Sequence, residues 1–503
     1  MSDLLPLLVA LPIIGSVVAL LAGLARSRTG WPVALAFLTA QLGGAGLLAT
    51  RVFGGSTVRY VVGGFTAPYG IELVVDGLSA TMVVLVAVVS LGVLGYARSA
   101  GPRTNAFYSS YLLLVASLTG LSITGDVFNM YVFLEILGLA AYTLVASGDR
   151  GESAIAALKY LIVGTVGASL FLLGIGYAYI ATGTLNMGDL SAQLAAVGYT
   201  TPLVRTAFAL MVVGLFVKIA VFPVHTWQPA AYAGSPDSVS GLISALVSTV
   251  AAYALVRIVF TVFGVDFLAA NPFARDILVA GAIVSIVAGS LLAVSQREIK
   301  RMLAYSSVSQ FGLIVGAVAV ANGTALTGAA IHLVGHAIMK GGLFLAAGLI
   351  ATTDGARTVG EYEGLAERLP ASSGAFGVLA FAMVGIPPAV GFVGKWYIAL
   401  GAIEAETWPL AVVILASTLL TLGYFARLIE RMYFRESADA PVDVDTTGVE
   451  SPAGIATDGA GGHAVSPGMR LTVLAAAVLA VALGAAAAGY GQLLEPTIET
   501  LLS

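Results

Sequence analysis

One stretch decides the fold of this chain, and it reads Ala207-Phe-Ala-Leu-Met-Val-Val-Gly-Leu-Phe-Val-Lys218-Ile-Ala-Val-Phe222. The stretch is apolar enough for a membrane helix, yet it carries a lysine. A charged group at the centre of a bilayer costs at least about 2.5–3.5 kcal/mol, so it marks a candidate functional site. Other ionisable residues lie in similar apolar segments: Lys340, Lys395, Glu135, His332 and His336. Together these residues predict a route for protons or cations.

Composition places the chain among integral membrane proteins. Of its 503 residues, 58% are hydrophobic and only 10% are charged, whereas a soluble domain carries roughly 25% charge. The absence of cysteine excludes disulfides, thiolate metal sites and cysteine nucleophiles. The first apolar run, 4–24, has no basic residues before it, and Arg26 and Arg28 follow it. We therefore expect it to be a retained helix and not a signal peptide.

Apolar runs of about twenty residues, each able to span a bilayer, recur along the chain. They predict about fourteen transmembrane helices, at 4–24, 31–50, 72–96, 106–122, 127–146, 154–181, 205–224, 239–262, 276–294, 302–320, 325–351, 374–402, 408–427 and 470–490. The residues between Pro223 and Ser238 are too polar to span and predict a break or a short re-entrant piece. The expected fold class is an all-α polytopic membrane protein.

Basic residues in the loops predict the orientation. With the N-terminus outside, the cytoplasmic side holds Arg26, Arg28, Arg98, Arg103, Arg150, Arg297, Lys300, Arg301, Arg357, Arg368, Arg427, Arg431, Arg435 and Arg470. The outside then holds only Arg51, Arg59, Arg205, Arg257 and Arg275. We expect a multi-pass protein of the plasma membrane with both termini extracellular.

Residues 436–468 differ from the rest of the chain. Acidic residues follow one another from Glu436 to Asp458 without any Lys or Arg, and small polar residues fill the remainder. This composition predicts a disordered cytoplasmic loop. Two interpretations are open, namely adaptation to high salt and an ordinary solvated linker.

Two predicted spans combine a proline break with an embedded lysine. Pro223 follows Lys218, and Pro387 and Pro388 precede Lys395. Proline removes a backbone donor, and in lipid the freed groups need partners from neighbouring helices or water. Paired broken helices indicate inverted repeats, here two five-helix units formed by spans 4–8 and 9–13. The alternative is a pair of ordinary proline kinks.

Glu135 is the expected partner of Lys218, because a lone buried carboxylate would neutralise or pair with a cation. The pair is interpreted either as a static link between two helices or as a group that stores and releases a proton. The second interpretation uses the ability of a desolvated lysine to lose its proton.

His332, His336 and Lys340 are spaced at i, i+4 and i+8, so they form one polar stripe on an apolar helix. Histidine can pass a proton between its two ring nitrogens, and the stripe predicts a relay. The alternative is a pair of ordinary core histidines, which is the usual role of a lone buried histidine. A metal site is not expected, because a third strong metal ligand is missing nearby. For His225, beside the Pro223 break, a packing role and proton access from the cytoplasm are both open.

The segment from Gln296 to Gln310 runs from basic residues into a helix rich in hydroxyl groups. We expect Lys300 and Arg301 to serve topology and lipid headgroup contact. The Ser and Gln side chains either bridge helices by hydrogen bonds or hold water along an ion path.

Five motifs in order resemble the antiporter-type subunits shared by complex I and Mrp cation/proton antiporters. They are Asp126-Val-Phe-Asn-Met-Tyr-Val-Phe-Leu-Glu135, Gly183-Thr-Leu-Asn-Met-Gly-Asp189-Leu, Lys218-(x)4-Pro223-x-His225-x-Trp227-x-Pro229, Ile299-Lys-Arg-Met-Leu-Ala-Tyr-Ser-Ser and Gly385-Ile-Pro-Pro-(x)2-Gly-Phe-(x)2-Lys395. The Asn-Met pairs most resemble the D-type component of Mrp antiporters, and the acidic loop resembles a halophile's version.

The resemblance implies fourteen transmembrane helices, inverted repeats and a polar axis through the membrane centre. Glu135 and Lys218 would be the coupling pair, His332, His336 and Lys340 would carry the axis, and Lys395 would be the terminal proton site. The expected organisation is 1–103 for the first three helices, 104–265 and 266–435 for the two repeats, 436–468 for the acidic loop and 469–503 for the last helix.

The chain departs from the family pattern in span 8, where members usually carry a lysine. Here Thr249 takes that place, so the charge that would link the two half-channels is missing. Two interpretations are open: Ser244, Ser248 and Thr249 form a hydrated link that carries protons, or the chain is poorly coupled. The usual acidic residue after Pro229 is also absent, since Ala230 occupies its position.

The functional hypothesis is a proton-translocating subunit of a multisubunit Na⁺/H⁺ antiporter. The alternative is a proton-pumping membrane subunit of a complex I-type NADH-quinone oxidoreductase or a membrane-bound hydrogenase, and a stand-alone carrier of a small solute is a third hypothesis. In each case we expect an ion transporter that is not itself an enzyme and holds no cofactor. Its expected partners are other membrane subunits, H⁺, Na⁺ and the lipid bilayer, with no nucleic acid.

Overall fold

The computed structural model describes residues 2–436 and 465–503, and these are mostly helical. The first half contains α1 (Leu4–Ala25), α2 (Gly30–Val52), α3 (Gly77–Ala100), α4 (Asn105–Ile123), α5 (Val127–Ala146), α6 (Gly151–Thr182), α7 (Met187–Val197), α8 (Pro202–Ile219), α9 (Trp227–Gly234) and α10 (Asp237–Val256). A π-helical segment, Arg257–Phe263, joins α10 to α11 (Gly264–Ala270).

The second half contains α12 (Pro272–Ser295), α13 (Ile299–Val320), α14 (Gly323–Asp354), α15 (Leu365–Arg368), α16 (Pro370–Val384), α17 (Val390–Glu404), α18 (Trp408–Phe434) and α19 (Pro467–Leu502). Thirteen helical segments of the described residues are long and apolar enough to cross a membrane. The remaining predicted span, 374–402, is divided into α16 and α17. The prediction of an all-α polytopic membrane protein is confirmed.

One predicted span begins too early. Residues 72–75 form not a helix but strand β2 (Glu72–Val75), which pairs antiparallel with β1 (Val58–Val61). The helix starts after Asp76, whose side chain accepts a hydrogen bond from the backbone N–H of Ser79. The apolar residues of β2 continue the hydropathy of α3, and this continuity concealed the boundary between strand and helix.

Both predicted helix breaks are present. The first lies between α8 and α9, and Ala220 in this gap has a left-handed backbone with φ 67°. The second lies between α16 and α17, where Gly385 has φ 97°. Pro223, Pro387 and Pro388 all lie in these gaps, as expected for a residue that cannot continue a helix. The inverted symmetry of the two five-helix units and the domain boundaries stay predictions.

The helices form a buried centre and a lipid-facing ring. In an apolar stretch of 18 residues from each helix, the buried share is 100% in Asp237–Ala270 and 94% in α13 and α14, but 28% in α2 and 22% in α19. The last helix, α19, packs against α3, α14, α16 and α17 and so contacts both halves. The acidic loop lies almost entirely outside the described residues. The polar residues of interest therefore surround α10, α13 and α14, where lipid does not reach.

Small residues let the α6 and α8 backbones approach each other. A Cβ atom on Gly174 would lie 2.8 Å from the backbone nitrogen of Met211, and one on Gly214 would lie 2.6 Å from the carbonyl oxygen of Gly167. Gly176, on the same helix as Gly174, has open space in the place of its missing Cβ. Close backbone approach through small residues is the usual way in which membrane helices pack.

We expect Gly174→Ala to destabilise the protein by about 1–3 kcal/mol, because the added methyl group has to displace the α8 backbone. Gly176→Ala is the matched control and should be neutral or slightly stabilising, since alanine favours helix more than glycine does. Thermal unfolding of the purified protein, followed by size-exclusion fluorescence, measures both. Equal melting temperatures for the two variants would contradict the proposed close packing.

Candidate functional site

The predicted pairing of Lys218 with Glu135 is present between α8 and α5. The Lys218 Nζ atom donates a hydrogen bond to Glu135 Oε1 over 3.2 Å. The lysine side chain is 6% exposed and the glutamate side chain is 27% exposed, so the carboxylate has more freedom to move. Gly138 lies one turn after Glu135, and a Cβ atom there would be 3.4 Å from Nζ. The same Cβ atom would lie 2.9 Å from the Tyr142 hydroxyl oxygen, so this hydroxyl occupies the space that the glycine leaves open.

The break after α8 is satisfied by side chains of the protein. Trp227 Nε1 donates to the carbonyl oxygen of Val217 at 2.8 Å, and the Phe222 N–H donates to Ser285 Oγ at 3.3 Å. Ser248 Oγ lies 3.5 Å from the carbonyl oxygen of Lys218. These contacts supply the partners that an interrupted helix needs at membrane depth. They also bring Ser248 on α10 next to Lys218.

His225 lies in the same break, between aromatic rings. Its ring centroid is 5.1 Å from that of Phe222 and 5.8 Å from that of Tyr305, and the residue is buried. Its Nδ1 atom has no hydrogen-bonding partner among the described residues. The surroundings fit a packing role, and a role in proton access stays a prediction.

His332 and His336 occupy the predicted stripe of α14. The two ring centroids are 6.4 Å apart, and the His336 ring lies 4.6 Å from Phe311. Both residues are fully buried, and none of their ring nitrogens has a partner within the described ranges. A neutral imidazole has one donor and one acceptor, so both rings retain the capacity to bind water or to pass a proton.

Lys340 continues this stripe and is held by neutral groups. Its Nζ atom donates to Ser306 Oγ at 2.8 Å and to the carbonyl oxygen of Leu303 at 3.2 Å. The Tyr424 hydroxyl in turn donates to Ser306 Oγ at 2.8 Å. Ser306 thus joins Lys340 to Tyr424, while Ser309 Oγ lies 2.8 Å from Ser290 Oγ and bridges α13 and α12. Bridging between helices is therefore confirmed for Ser309, and water along an ion path stays a prediction.

Lys395 caps the end of a helix. Its Nζ atom donates to the carbonyl oxygens of Met383 at 2.8 Å and Val384 at 3.0 Å. These are the last residues of α16, where carbonyl groups lack intrahelical partners and a cation is favoured. In the described ranges neither Lys395 nor Lys340 forms an ion pair with a carboxylate. Neighbouring Gly394 packs directly against His332, so Lys395 adjoins the histidine stripe.

Between Lys218 and the second half lie Ser244, Ser248 and Thr249 of α10, all fully buried. Ser248 Oγ accepts from Gln228 Nε2 at 3.2 Å and lies 3.3 Å from the Tyr232 hydroxyl. Ser244 donates to the Gly241 carbonyl oxygen. The Thr249 hydroxyl has no partner in the described part of the chain, although buried hydroxyls nearly always have one. The predicted link therefore consists of hydroxyl groups, one of which is free to bind water.

The structure corrects the interpretation of Lys300. This residue is buried, and its Nζ atom lies 2.9 Å from Asp237 Oδ1 and donates to the Ser235 carbonyl oxygen at 2.7 Å. Only its neighbour Arg301 is exposed, where it pairs with Glu298. A second buried pair, Arg257 with Asp76, was not predicted either. Both pairs join residues far apart in sequence. The only sequence signal for either pair is an aspartate at the start of a helix, Asp237 at α10 and Asp76 at α3.

The family of this chain is established by comparison with known proteins. Residues 124–421 match the family model described as NADH:quinone oxidoreductase/Mrp antiporter, TM. The chain belongs to this family. This match to the NADH:quinone oxidoreductase/Mrp antiporter family confirms the resemblance that was inferred from the motifs. The family region covers both broken helices and all three lysines, but the comparison does not test the role of any residue.

Three similar proteins represent the two branches. A Desulforudis audaxviator NADH-quinone oxidoreductase subunit N is 44% identical over 437 residues, or 85% of this chain and 86% of that protein. The D component of a Bacillus subtilis Na(+)/H(+) antiporter is 32% identical over 399 residues, covering 79% and 80%. A chain of the Mrp complex from Dietzia sp. DQ12-45-1b has TM-score 0.87 and 28% identity, with 100% and 99% coverage. The halophile interpretation of the acidic loop gains no support from them.

We expect Ser306→Ala to slow proton transport, because it removes the only side chain that binds the Lys340 ammonium group among the described residues. A hydrogen bond to a charged group contributes about 1.5–3 kcal/mol. Ser309→Ala is the matched control on the same helix, since Ser309 bonds to Ser290 and not to a lysine. Proton movement in vesicles that carry the assembled complex measures both variants, and equal rates would remove Ser306 from the axis.

Proposed function

We propose that this chain is the proton-translocating subunit of a multisubunit Na⁺/H⁺ antiporter and moves protons along a buried axis of Glu135, Lys218, His332, His336, Lys340 and Lys395. One observation supports this most strongly: the three lysines of this axis are all buried, and they are held by three different kinds of partner. Lys218 has a carboxylate, Lys340 has a hydroxyl group, and Lys395 has helix-end carbonyls.

The first step occurs at the Glu135–Lys218 pair. While the carboxylate stays close, it compensates the buried ammonium charge. When Glu135 moves away, the charge is left uncompensated, and this costs about 3–5 kcal/mol for a buried pair. Lys218 then gives its proton to a neighbouring acceptor. The greater exposure of Glu135 supports this division, in which the carboxylate moves and the lysine stays in place.

The second half receives the proton through hydroxyl groups and imidazoles. Ser248 contacts the backbone of Lys218, and the unpaired hydroxyl of Thr249 lies beside it on α10. Beyond them, Lys340, His336 and His332 follow one face of α14 as far as Lys395. A chain of donors and acceptors with free positions can pass protons without moving any backbone.

Proton movement would drive the cation elsewhere in the assembly. The family's antiporter members and the structural similarity to a chain of an Mrp complex support membrane subunits as partners. Charge in the loops supports a plasma-membrane orientation with both termini outside. Within this proposal the chain carries no redox centre and catalyses no chemical conversion itself.

A second candidate is a proton-pumping subunit of a complex I-type NADH-quinone oxidoreductase or a membrane-bound hydrogenase. The subunit N relative, at 44% identity, favours it specifically. The same lysine axis serves both candidates, because in both the chain only moves protons. The proteins that copurify with this chain decide between them. Small hydrophobic antiporter subunits support the antiporter, whereas flavin or iron–sulfur subunits refute it.

We expect Lys218→Ala and Glu135→Ala each to abolish the ΔpH dissipation that Na⁺ addition causes in everted vesicles, because each leaves one charge of the pair without its partner. The control is Lys159→Ala, which removes an exposed lysine of α6. Near-normal activity in either Lys218→Ala or Glu135→Ala, at equal amounts of assembled complex, would refute the coupling pair.

We expect Thr249→Lys to be tolerated or to raise the coupling between proton and cation movement, because it restores a charge where the family usually has one. The ratio of H⁺ to Na⁺ moved in the same vesicles measures the effect. Loss of activity in this variant would show that the site has been repacked for another purpose.

A further inference from the structure

Helix α10 runs between one cavity at its beginning and two cavities at its other end. A cavity of about 400 Å³ lies at its beginning, where Asp237 and Lys300 line the wall. We call the two at its other end the Arg257 cavities: a larger one of about 570 Å³ and a smaller one of about 110 Å³. Arg257 and Thr261 line both of them. The helix between these cavities is completely buried.

A compact hydrogen-bonded cluster forms the floor of the Arg257 cavities. The Arg257 guanidinium pairs with Asp76, donates to Ser79 Oγ at 2.8 Å, and donates to the Tyr253 hydroxyl at 2.9 Å. The Tyr253 hydroxyl donates to the Ser122 carbonyl oxygen at 2.7 Å and lies 2.9 Å from Ser79 Oγ. Tyr253 and Ser79 both line the smaller cavity. The cluster thus joins buried hydroxyl groups to open space.

Polar residues of α10 and of the segment after it form two lines, which adjoin at Ser248 and Thr249. Ser240, Ser244 and Ser248 follow each other at four-residue intervals, and so do Thr249, Tyr253 and Arg257. At 3.6 residues per turn, residues four apart share a face, whereas adjacent residues lie about 100° apart. The first line therefore ends at Ser248, beside the backbone carbonyl of Lys218, and the second line begins at the next residue, Thr249. The second line leads towards the Arg257 cavities.

We propose that Thr249, Tyr253 and Ser79 form a proton release path from Lys218 to the smaller Arg257 cavity. This inference rests on the proposed proton transport. The path would let protons leave from the first half of the protein, so that the missing charge at position 249 marks a branch point. Two hydroxyls without a partner in the described part of the chain support this path: Thr249 Oγ1, where it begins, and Thr261 Oγ1, which lines the cavity where it ends.

The transfer is a relay, and after it each side chain carries the same number of protons as before. The Tyr253 hydroxyl first turns its proton from the Ser122 carbonyl oxygen to Ser79 Oγ. A water on Thr249 then brings a proton to the Tyr253 oxygen, while the original phenolic proton passes to Ser79 Oγ. Ser79 releases its own proton to water in the cavity, and both hydroxyls then reorient. Arg257 stays charged throughout and acts as a positioning residue. Its fork orients the Tyr253 and Ser79 oxygens, and Asp76 holds the fork in place.

A static role for the cluster predicts a different environment. An ion pair that only ties α10 to α3 requires neither a cavity beside Tyr253 nor an unpartnered hydroxyl at Thr261. The π-helical segment that begins at Arg257 is also of a kind found frequently at functional sites. These observations favour a path over a simple structural tie.

Accessibility is tested first, and the chain suits the test because it contains no cysteine. We expect Thr261→Cys and Ser79→Cys to react with a membrane-impermeant thiosulfonate reagent from one side of the membrane only. Val262→Cys is the matched control, because Val262 is fully buried beside Thr261. If Thr261→Cys and Ser79→Cys react no faster than Val262→Cys in the assembled complex, the cavity is dry and the path is refuted.

Transport is tested second, with Tyr253→Phe in the same assembled complex. We expect proton movement to fall about tenfold or more, since a positioned proton-transfer group commonly contributes at least this much. Tyr111→Phe is the control, because this buried tyrosine also donates to a backbone carbonyl, that of Ser90, but lines neither Arg257 cavity. Arg257→Lys should recover part of the transport that Arg257→Gln loses.

The results separate this inference from the proposed function. Normal transport in Tyr253→Phe, together with lost transport in Lys218→Ala, refutes the release path and leaves the lysine axis intact. Normal transport in Lys218→Ala and Glu135→Ala refutes the proposed function itself. Reduced transport in Tyr253→Phe at normal complex assembly, with Tyr111→Phe unchanged, supports the path.

Discussion

The interior of a membrane offers no bulk water, and this constraint governs how the buried polar groups of the structure are arranged. An ionised group or an interrupted helix there must find its partners within the protein. Lys218 finds a carboxylate, Lys340 a hydroxyl group and a carbonyl, and Lys395 the open end of a helix. The break after α8 finds Trp227, Ser248 and Ser285. The buried centre of α10, α13 and α14 exists because these groups must be kept away from lipid.

The two broken helices solve the same problem in unlike ways. Lys218 precedes its break and depends on a side chain from another helix, whereas Lys395 follows its break and depends on carbonyls of the helix before it. A side-chain carboxylate can rotate away, but the end of a packed helix cannot. Within the proposed function, the charge at Lys218 is therefore the adjustable one and the charge at Lys395 is held in a fixed field. This difference gives the axis a direction.

Helix α10 lies between the two broken helices, and it carries Thr249 at the position where family members usually have a lysine. Thr249 lies where hydroxyl groups from one face of the bundle meet those that lead to the other. A lysine at this position would hold a charge between the half-channels, while a threonine leaves room for water. A buried ion pair lies at each end of α10. Asp237 pairs with Lys300 at the beginning of the helix, and Arg257 pairs with Asp76 just after its end. The helix is thereby both the centre of the fold and its most polar connection.

The amino-acid sequence by itself determined the membrane class, most of the membrane spans, both helix breaks and the pairing of Lys218 with Glu135. Hydropathy and proline act locally, and a buried charge has few candidate partners, so these features were predictable. Tertiary structure alone decided that Lys395 caps α16, that Ser306 holds Lys340, and that Lys300 and Arg257 are buried. These depend on which helices lie side by side, and contacts such as that of Arg257 with Asp76 join residues far apart in the chain. No local pattern encodes such distances, because helix packing sets them through the fit of whole surfaces.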